Sequence, residues 1–331
     1  MSIIIEHEDA RIRIDELPNG KRRVSVSALK PSTYVPADSC ETSYSLKFIK
    51  YLIAQSGGVW ICFDIMRDED PWQLQNALEN TITGYISKDV FTDKRVLDFG
   101  CGQGASTAVL ARILPQCRIV GVDLDVPSLN IAKARAEYYG LRDVEFFASP
   151  DPAELPDGIG QFDFIIMNAV YEHLLPSERK TLLPRLWTIL RPGGILFIDE
   201  TPHRYFPLEI HTTMLPLINY LPDRFAHEAA SRLSRKISRG LPWNELLRGG
   251  IRGGTEREIM KILRQNADAP PTLLEPAGRQ VRDRIDLWYA VSRHKKCPAL
   301  KALARLAIKA IKWTTNYTLV PTLSLAIRKN S

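Results

Sequence analysis

Residues 96–106, VLDFGCGQGAS, set Asp98 near the end of an apolar run and then place glycine at positions 100, 102 and 104. A strand-to-helix turn without Cβ atoms lets backbone N–H groups and a helix N-terminus close on a ligand. The spacing Gly100-x-Gly102-x-x-Ala105 also satisfies a dinucleotide fingerprint, which is a weak signal by itself. A carboxylate at Asp98 repels a pyrophosphate and welcomes a cationic group. Asp123, in VGVDLD, is placed to accept both hydroxyls of a ribose. Together these residues describe an aminoacyl nucleoside that is positively charged and has no phosphates. Two histidines follow later apolar runs, His173 in VYEHL and His203 in ETPHRYFP, and are the candidates for a general base. His203, His211 and Arg204 could also contact an acceptor, with surface or core packing as the alternative.

The elements that must position these residues follow a strand-then-helix rhythm from Val96 onward, which predicts a doubly wound, mainly parallel sheet. RVLDFG, RIVGVDL, VEFFAS, FDFIIMN and GGILFIDE are the five expected strands. ASTAVLARIL, PSLNIAKARAEYYG and PSERKTLLPRLWTIL are helices between them. Upstream, RIRIDELPNGKRRVSVS alternates apolar residues around Asn19-Gly20 and predicts a hairpin. SYSLKFIKYLIAQSGG reads as a helix, VWICFDIM as a short buried run, and PWQLQNALENTITGYI as a helix capped by Asp70. Beyond Glu200, Gly249-Gly250 and Gly253-Gly254 bracket a stretch expected to be mobile, a lid hinge or an ordinary inter-helix loop. Thr255 and Glu258 form a capping box for the next helix. In PALKALARLAIKAIKW, Lys301, Arg305, Lys309 and Lys312 share one face opposite Leu303, Leu306, Ile308 and Ile311, whose stripe is expected to pack on the domain. TLVPTLSLAIRK closes the chain as a strand.

At this point the chain resembles the class I S-adenosylmethionine-dependent methyltransferases. LDFGCGQG is similar to the family's first motif, VGVDLD to its acidic second-strand motif, FDFIIMNAVYEHL to its fourth-strand motif and LRPGGILFI to its fifth-strand entry. The resemblance covers roughly residues 94–200 and implies a Rossmann-like, seven-stranded α/β sheet with S-adenosyl-L-methionine as cofactor. It divides the chain into an N-terminal hairpin and helical cap (1–90), the cofactor-binding core (91–200), a helical basic region (201–316) and a final strand with tail (317–331). It also implies that Asp98, Gly100, Gly102 and Gly104 lie along the methionine and ribose, Asp123 binds the ribose and Leu124 packs on the adenine. Asp151 is the candidate for the adenine edge, with Ser149 or Ala153 as backbone alternatives, and Asn168 faces cofactor and acceptor. In the quinone O-methyltransferase branch the Glu-His pair matching Glu172 and His173 joins a further carboxylate at a divalent metal. Here that position is Ala169, so no metal is expected. The asparagine-proline-proline-tyrosine signature of amide and exocyclic-amine methylation is absent, NAVY standing in its place, so oxygen or carbon of a small organic acceptor is the expected target.

Composition bounds the partners. The five cysteines are scattered without metal-ligand spacing, which fits a cytoplasmic, reducing setting. Neither a signal-like start nor a run long enough to span a membrane is seen. From Ser231 onward there are 21 Lys+Arg against 7 Asp+Glu, net +14, which leaves 23 against 31, net −8, for residues 1–230. That basic third leaves RNA open as a partner, although aromatic residues are not interleaved with its charges, and the amphipathic helix around Leu303 leaves peripheral membrane contact open. The alternatives to a small-molecule methyltransferase are a nicotinamide-dependent oxidoreductase, which Asp98 opposes, an RNA methyltransferase, and a non-catalytic S-adenosylmethionine-binding protein. Nothing in the sequence sets an oligomeric state.

Overall fold

The computed structural model describes residues 2–30, 33–114, 116–238, 240–266, 269–278, 281–292 and 297–330. The N-terminal alternation becomes more than a hairpin. Strands β1 (Ser2–Glu6), β2 (Ala10–Glu16), β3 (Arg22–Ala28) and β4 (Ser39–Thr42) form an antiparallel sheet in that order. β2 and β3 pair Ile12 with Val26 and Ile14 with Val24 across a turn in which Gly20 takes φ +78°. Period-two alternation puts these side chains on one face. They bury against Phe48, Ile49, Leu52 and Ile53 of α1 (Leu46–Ser56), which Ser45 caps by accepting the Phe48 N–H at 3.2 Å. The VWICFDIM segment is helical, giving α2 (Ile61–Glu69). The helix expected after Asp70 is broken: a π-type turn over Pro71–Gln75, non-helical at Gln73, precedes α3 (Asn76–Tyr85).

The core is a seven-stranded sheet made of β5 (Arg95–Phe99), β6 (Arg118–Asp123), β7 (Val144–Ala148), β8 (Phe162–Asn168), β9 (Leu190–Pro202), β10 (Pro271–Leu273) and β11 (Thr322–Lys329). Its order is β10-β11-β9-β8-β5-β6-β7. Pairing is parallel from β7 through β9, and β11 runs antiparallel to both of its neighbours. The central strands are near-continuous apolar runs because helices cover both faces. α4 (Ala105–Ile113), α5 (Val126–Tyr138) and α6 (Pro176–Ile189) are the crossovers. The expected Rossmann-like class I architecture is what the chain adopts.

The region after β9 corrects the sequence reading at three places. It is not wholly a cap, because β10 lies within residues 201–316 and pairs with β11 in the core sheet. Its helices are α7 (Asp223–Leu233), α8 (Trp243–Arg248), α9 (Glu256–Asn266), α10 (Arg284–Ser292) and α11 (Pro298–Thr315). The glycine-flanked stretch expected to be mobile is instead buried, and Gly254 is pinned on both sides: its N–H donates to Pro202 O at 2.9 Å and its carbonyl accepts Arg204 N–H at 2.8 Å.

The third correction concerns α11, whose basic face turns inward and takes Ile308 with it, while Leu303, Leu306 and Ile311 of the expected stripe stay exposed. Arg305 and Lys309 bind Asp286 at 2.7 and 2.6 Å and Lys312 approaches Asp283 at 3.4 Å, so the basic face turns toward α10. Ile308 is buried on that side, while Leu300, Leu303, Leu306 and Trp313, the last 88% exposed, face outward. Two buried-side carboxylates outweigh the apolar stripe because leaving them unpaired would be costly. No helix among the described residues is long and apolar enough to cross a membrane.

Candidate active site

In an open α/β sheet the ligand crevice lies beyond the carboxyl ends of the strands, where connections diverge to opposite faces. Here that point is between β5 and β8, neighbours in the sheet. The glycine turn leaves β5 there, and its three glycines do three different things. A Cβ on Gly100 would meet Val170 Cγ2 at 2.4 Å, so its bareness admits the loop after β8. A Cβ on Gly104 would meet Ala132 Cβ at 2.7 Å and Cα at 2.8 Å, so its bareness brings the start of α4 against α5. Gly102, at φ +51°, has nothing within 4 Å of its absent Cβ. Protein thus occupies the side-chain space at Gly100 and Gly104, and of the three only Gly102 opens onto free volume.

Around Gly102 the carboxylates and amides fit the expected ligand. Asp123 accepts Gly102 N–H at 2.7 Å and Asp125 N–H at 3.0 Å, so the ribose candidate is fastened to the turn. Leu124, next to it, is 47% exposed, as an open apolar platform would be. Asp98 is buried and accepts Ser106 and Thr107 hydroxyls at 2.8 and 2.6 Å on Oδ2, while its Oδ1 has no partner. Burial pushes its carboxyl up to about 6, against the hydrogen bonds from Thr107 and Ser106. Gln103 Oε1 and Asn168 Oδ1 are likewise buried without partners. Buried polar atoms are normally satisfied, so these three acceptors call for donors that a bound molecule would bring. Asp199, one strand over, is the contrast: Thr81 donates to one oxygen at 2.9 Å and Ser324 to the other. Asp151, the adenine-edge candidate, closes its own turn by accepting Ala153 N–H at 2.6 Å, and Ser149 N–H donates to Asp123 O at 2.8 Å.

The N-terminal cap braces the turn from behind, a part of the site that sequence spacing did not show. Arg135 of α5 and Asp68 of α2 form a buried pair at 2.8 Å. Tyr44 and Tyr139 hydroxyls donate to Asp68 at 2.7 and 2.9 Å. Arg135 Nε donates to the Gln103 carbonyl at 3.0 Å, so the cap is wired to the glycine turn. α2 also brings Asp64, pushed up to about 6 by burial, and Arg67, whose charge reaches Asp98.

Beyond β8 and β9 lie the two histidine candidates, in unlike situations. His203 is buried, and burial drives its imidazole down to about 4. Its Nδ1 accepts Tyr205 N–H at 3.1 Å, so the proton sits on Nε2, 3.2 Å from the Tyr317 hydroxyl. With both nitrogens engaged, the ring helps pin the end of β9, where the His203 backbone bridges Gly254 and Pro321. His173 is open on one side. Its Nδ1 shares a 2.6 Å hydrogen bond with Arg248 O, which as an acceptor fixes the proton there and frees Nε2. Glu172 beside it is fully buried, with burial pushing its carboxyl up to about 8.

The chain is similar to known proteins over its core. The family model described as "Methyltransferase domain" matches residues 96–194. The trans-aconitate 2-methyltransferase of Variovorax paradoxus (strain S110) is 28% identical over 213 residues, 62% of this chain and 63% of that protein. The one from Azoarcus sp. (strain BH72) is 40% identical over 115 residues, 33% and 42% of the two chains. The apo methyltransferase SibL is a structural neighbour at TM-score 0.45 and 17% identity, covering 86% of this chain and 62% of that one. The chain carries a class I S-adenosylmethionine-dependent methyltransferase domain. Its match spans 63%, less than two thirds, of the length of the first of these relatives.

Proposed function

We propose that the protein transfers a methyl group from S-adenosyl-L-methionine to an oxygen of a small organic acceptor. The observation that carries this reading is the open space at Gly102, beside Asp123 and three buried acceptors without donors. When bound, the cofactor supplies a methyl group already activated on a positively charged sulfur. The chain's own residues do the rest. Asp98 and Asn168 meet the charged aminoacyl end. Asp123 holds the ribose, Leu124 covers the adenine and Asp151 reads its edge. The walls after β8 and β9 exclude water and align the acceptor, which is most of what such a transfer needs.

Relatives named for trans-aconitate favour an organic acid as the acceptor class, with a carbon acceptor as the runner-up. Ion pairing weakens the RNA alternative, since Arg248, Arg252, Arg284, Arg305 and Lys309 of the basic third are each matched to a carboxylate. Peripheral membrane contact gains a surface, the outward face of α11. A cytoplasmic setting is in keeping with five free thiols.

The test is transfer of labelled methyl from S-adenosylmethionine to a panel of organic acids, hydroxylated metabolites and RNA. Organic acids should be labelled, and labelling of RNA alone would overturn the acceptor class. His173→Ala should slow transfer to a hydroxyl by about 10²-fold, the usual contribution of a general base, and barely affect a carboxylate that needs no deprotonation. His203→Gln should lower stability and leave kcat per folded enzyme near the wild-type value.

A further inference from the structure

Glu172, His173 and His211 reach one point from different parts of the fold. Each offers one ligand atom, and all three atoms lie within 4.8 Å of one another. Glu172 follows β8 at the carboxyl edge of the sheet. Its Oε2 accepts the Thr201 hydroxyl at 3.2 Å, while its buried Oε1 has no hydrogen-bond partner and sits 3.9 Å from His173 Nε2. That oxygen is the sort of group a bound cation satisfies.

The histidines are prepared in the same sense. The His173 Nδ1 hydrogen bond to a backbone carbonyl is the support that fixes the tautomer of a metal-ligating imidazole and turns its other nitrogen to the metal. Arg248, which owns that carbonyl, is itself held by Glu178 through a 2.6 Å bond. His211 arrives on a loop braced by Glu209, whose carboxylate accepts the N–H groups of His211 at 2.7 Å and Thr212 at 2.8 Å. Gly250, at φ +86°, makes room for the ring: a Cβ there would stand 2.7 Å from His211 Cδ2 and 3.2 Å from Glu172 Cγ. This glycine is bare where the imidazole meets the carboxylate.

We infer that Glu172, His173 and His211 form a site for a divalent transition-metal ion. Two imidazoles and one carboxylate suit zinc, cobalt or manganese better than magnesium, which prefers oxygen ligands. At bonds of about 2.1 Å, tetrahedral ligand atoms stand about 3.4 Å apart, so the three need to close by roughly an ångström on loading. His173 is 43% exposed, which leaves water access to the remaining coordination position. The inference rests on the acceptor-side reading above and replaces its base: with the ion bound, His173 Nε2 is a ligand, so the slowing predicted for His173→Ala then reports loss of the ion and not of a proton acceptor. The expectation of no metal rested on Ala169. The third ligand comes instead from His211, on a separate loop.

The experiment is calorimetric titration of chelator-stripped full-length protein with zinc chloride, with the visible spectrum of added cobalt(II) as a second readout. One equivalent should bind at micromolar or tighter affinity, magnesium chloride should not compete, and His211→Ala should weaken binding more than about tenfold. Glu172→Gln should do the same, with circular dichroism reporting its fold. His227→Gln should bind as the wild type does, because that ring is tied to Leu241 O at 2.7 Å away from the cluster. No zinc uptake by the wild type, or unchanged affinity in His211→Ala, overturns the site. S-adenosylhomocysteine binding measured on the same samples keeps the two readings separate: metal uptake without cofactor binding sinks the proposed function, and the reverse sinks only the metal site.

Discussion

Arg135→Ala is expected to destabilise the protein by about 3–5 kcal/mol, the range for stripping one partner from a buried ion pair. Both side chains are almost fully covered, so the Asp68 carboxyl would be left in a dry interior with two tyrosine hydroxyls and the more distant Arg112 at 3.9 Å. Denaturant unfolding measures the loss. Combining it with Asp68→Ala should cost clearly less than the two single changes together, since the pair then disappears as a unit. The same substitution removes the donor on the Gln103 carbonyl, so affinity for S-adenosylhomocysteine should fall in whatever folded protein remains. Stability within about 1 kcal/mol of wild type would show that the cap does not brace the turn.

Gly104→Ala and Gly102→Ala should part company in the same way. At Gly104 the new methyl runs into the backbone of Ala132, at 2.8 Å, in a left-handed conformation at φ +78°. Neither the clash nor the dihedral can relax cheaply, and a loss above about 3 kcal/mol is expected, in line with severe steric changes in a packed core. At Gly102 the methyl meets no protein atom, so the cost is the dihedral alone, about 1–2 kcal/mol. Cofactor affinity should nevertheless fall in Gly102→Ala, because the methyl points into the volume assigned to the ligand. Equal stability losses in both variants would contradict the division of labour among the glycines.

How much of this was legible in the sequence depends on range. The core strands, the crossover helices and the positions of Asp98, Asp123 and Asn168 follow from local spacing, and the sheet places them as expected. The duties of Gly100 and Gly104 depend on Val170 and Ala132, distant in sequence, and spacing alone assigned all three glycines to one ligand. The Asp68–Arg135 pair joins the cap to α5 in the same long-range way. For α11 the period identified a basic face but not that it turns inward, a choice made by Asp286 of α10 and Asp283 just before it. The histidines divide on hydrogen bonds invisible to pattern reading: a backbone N–H occupies His203 Nδ1, and a carbonyl frees His173 Nε2.

Calorimetric titration of the wild-type protein with S-adenosylhomocysteine and, in a separate cell, with NAD tests the central claim most directly. One site of micromolar affinity for the nucleoside and no heat from the dinucleotide is the predicted result. Binding of NAD with indifference to S-adenosylhomocysteine would contradict the account at its root, because the buried Asp98 and the free volume at Gly102 would then serve a phosphate-bearing ligand.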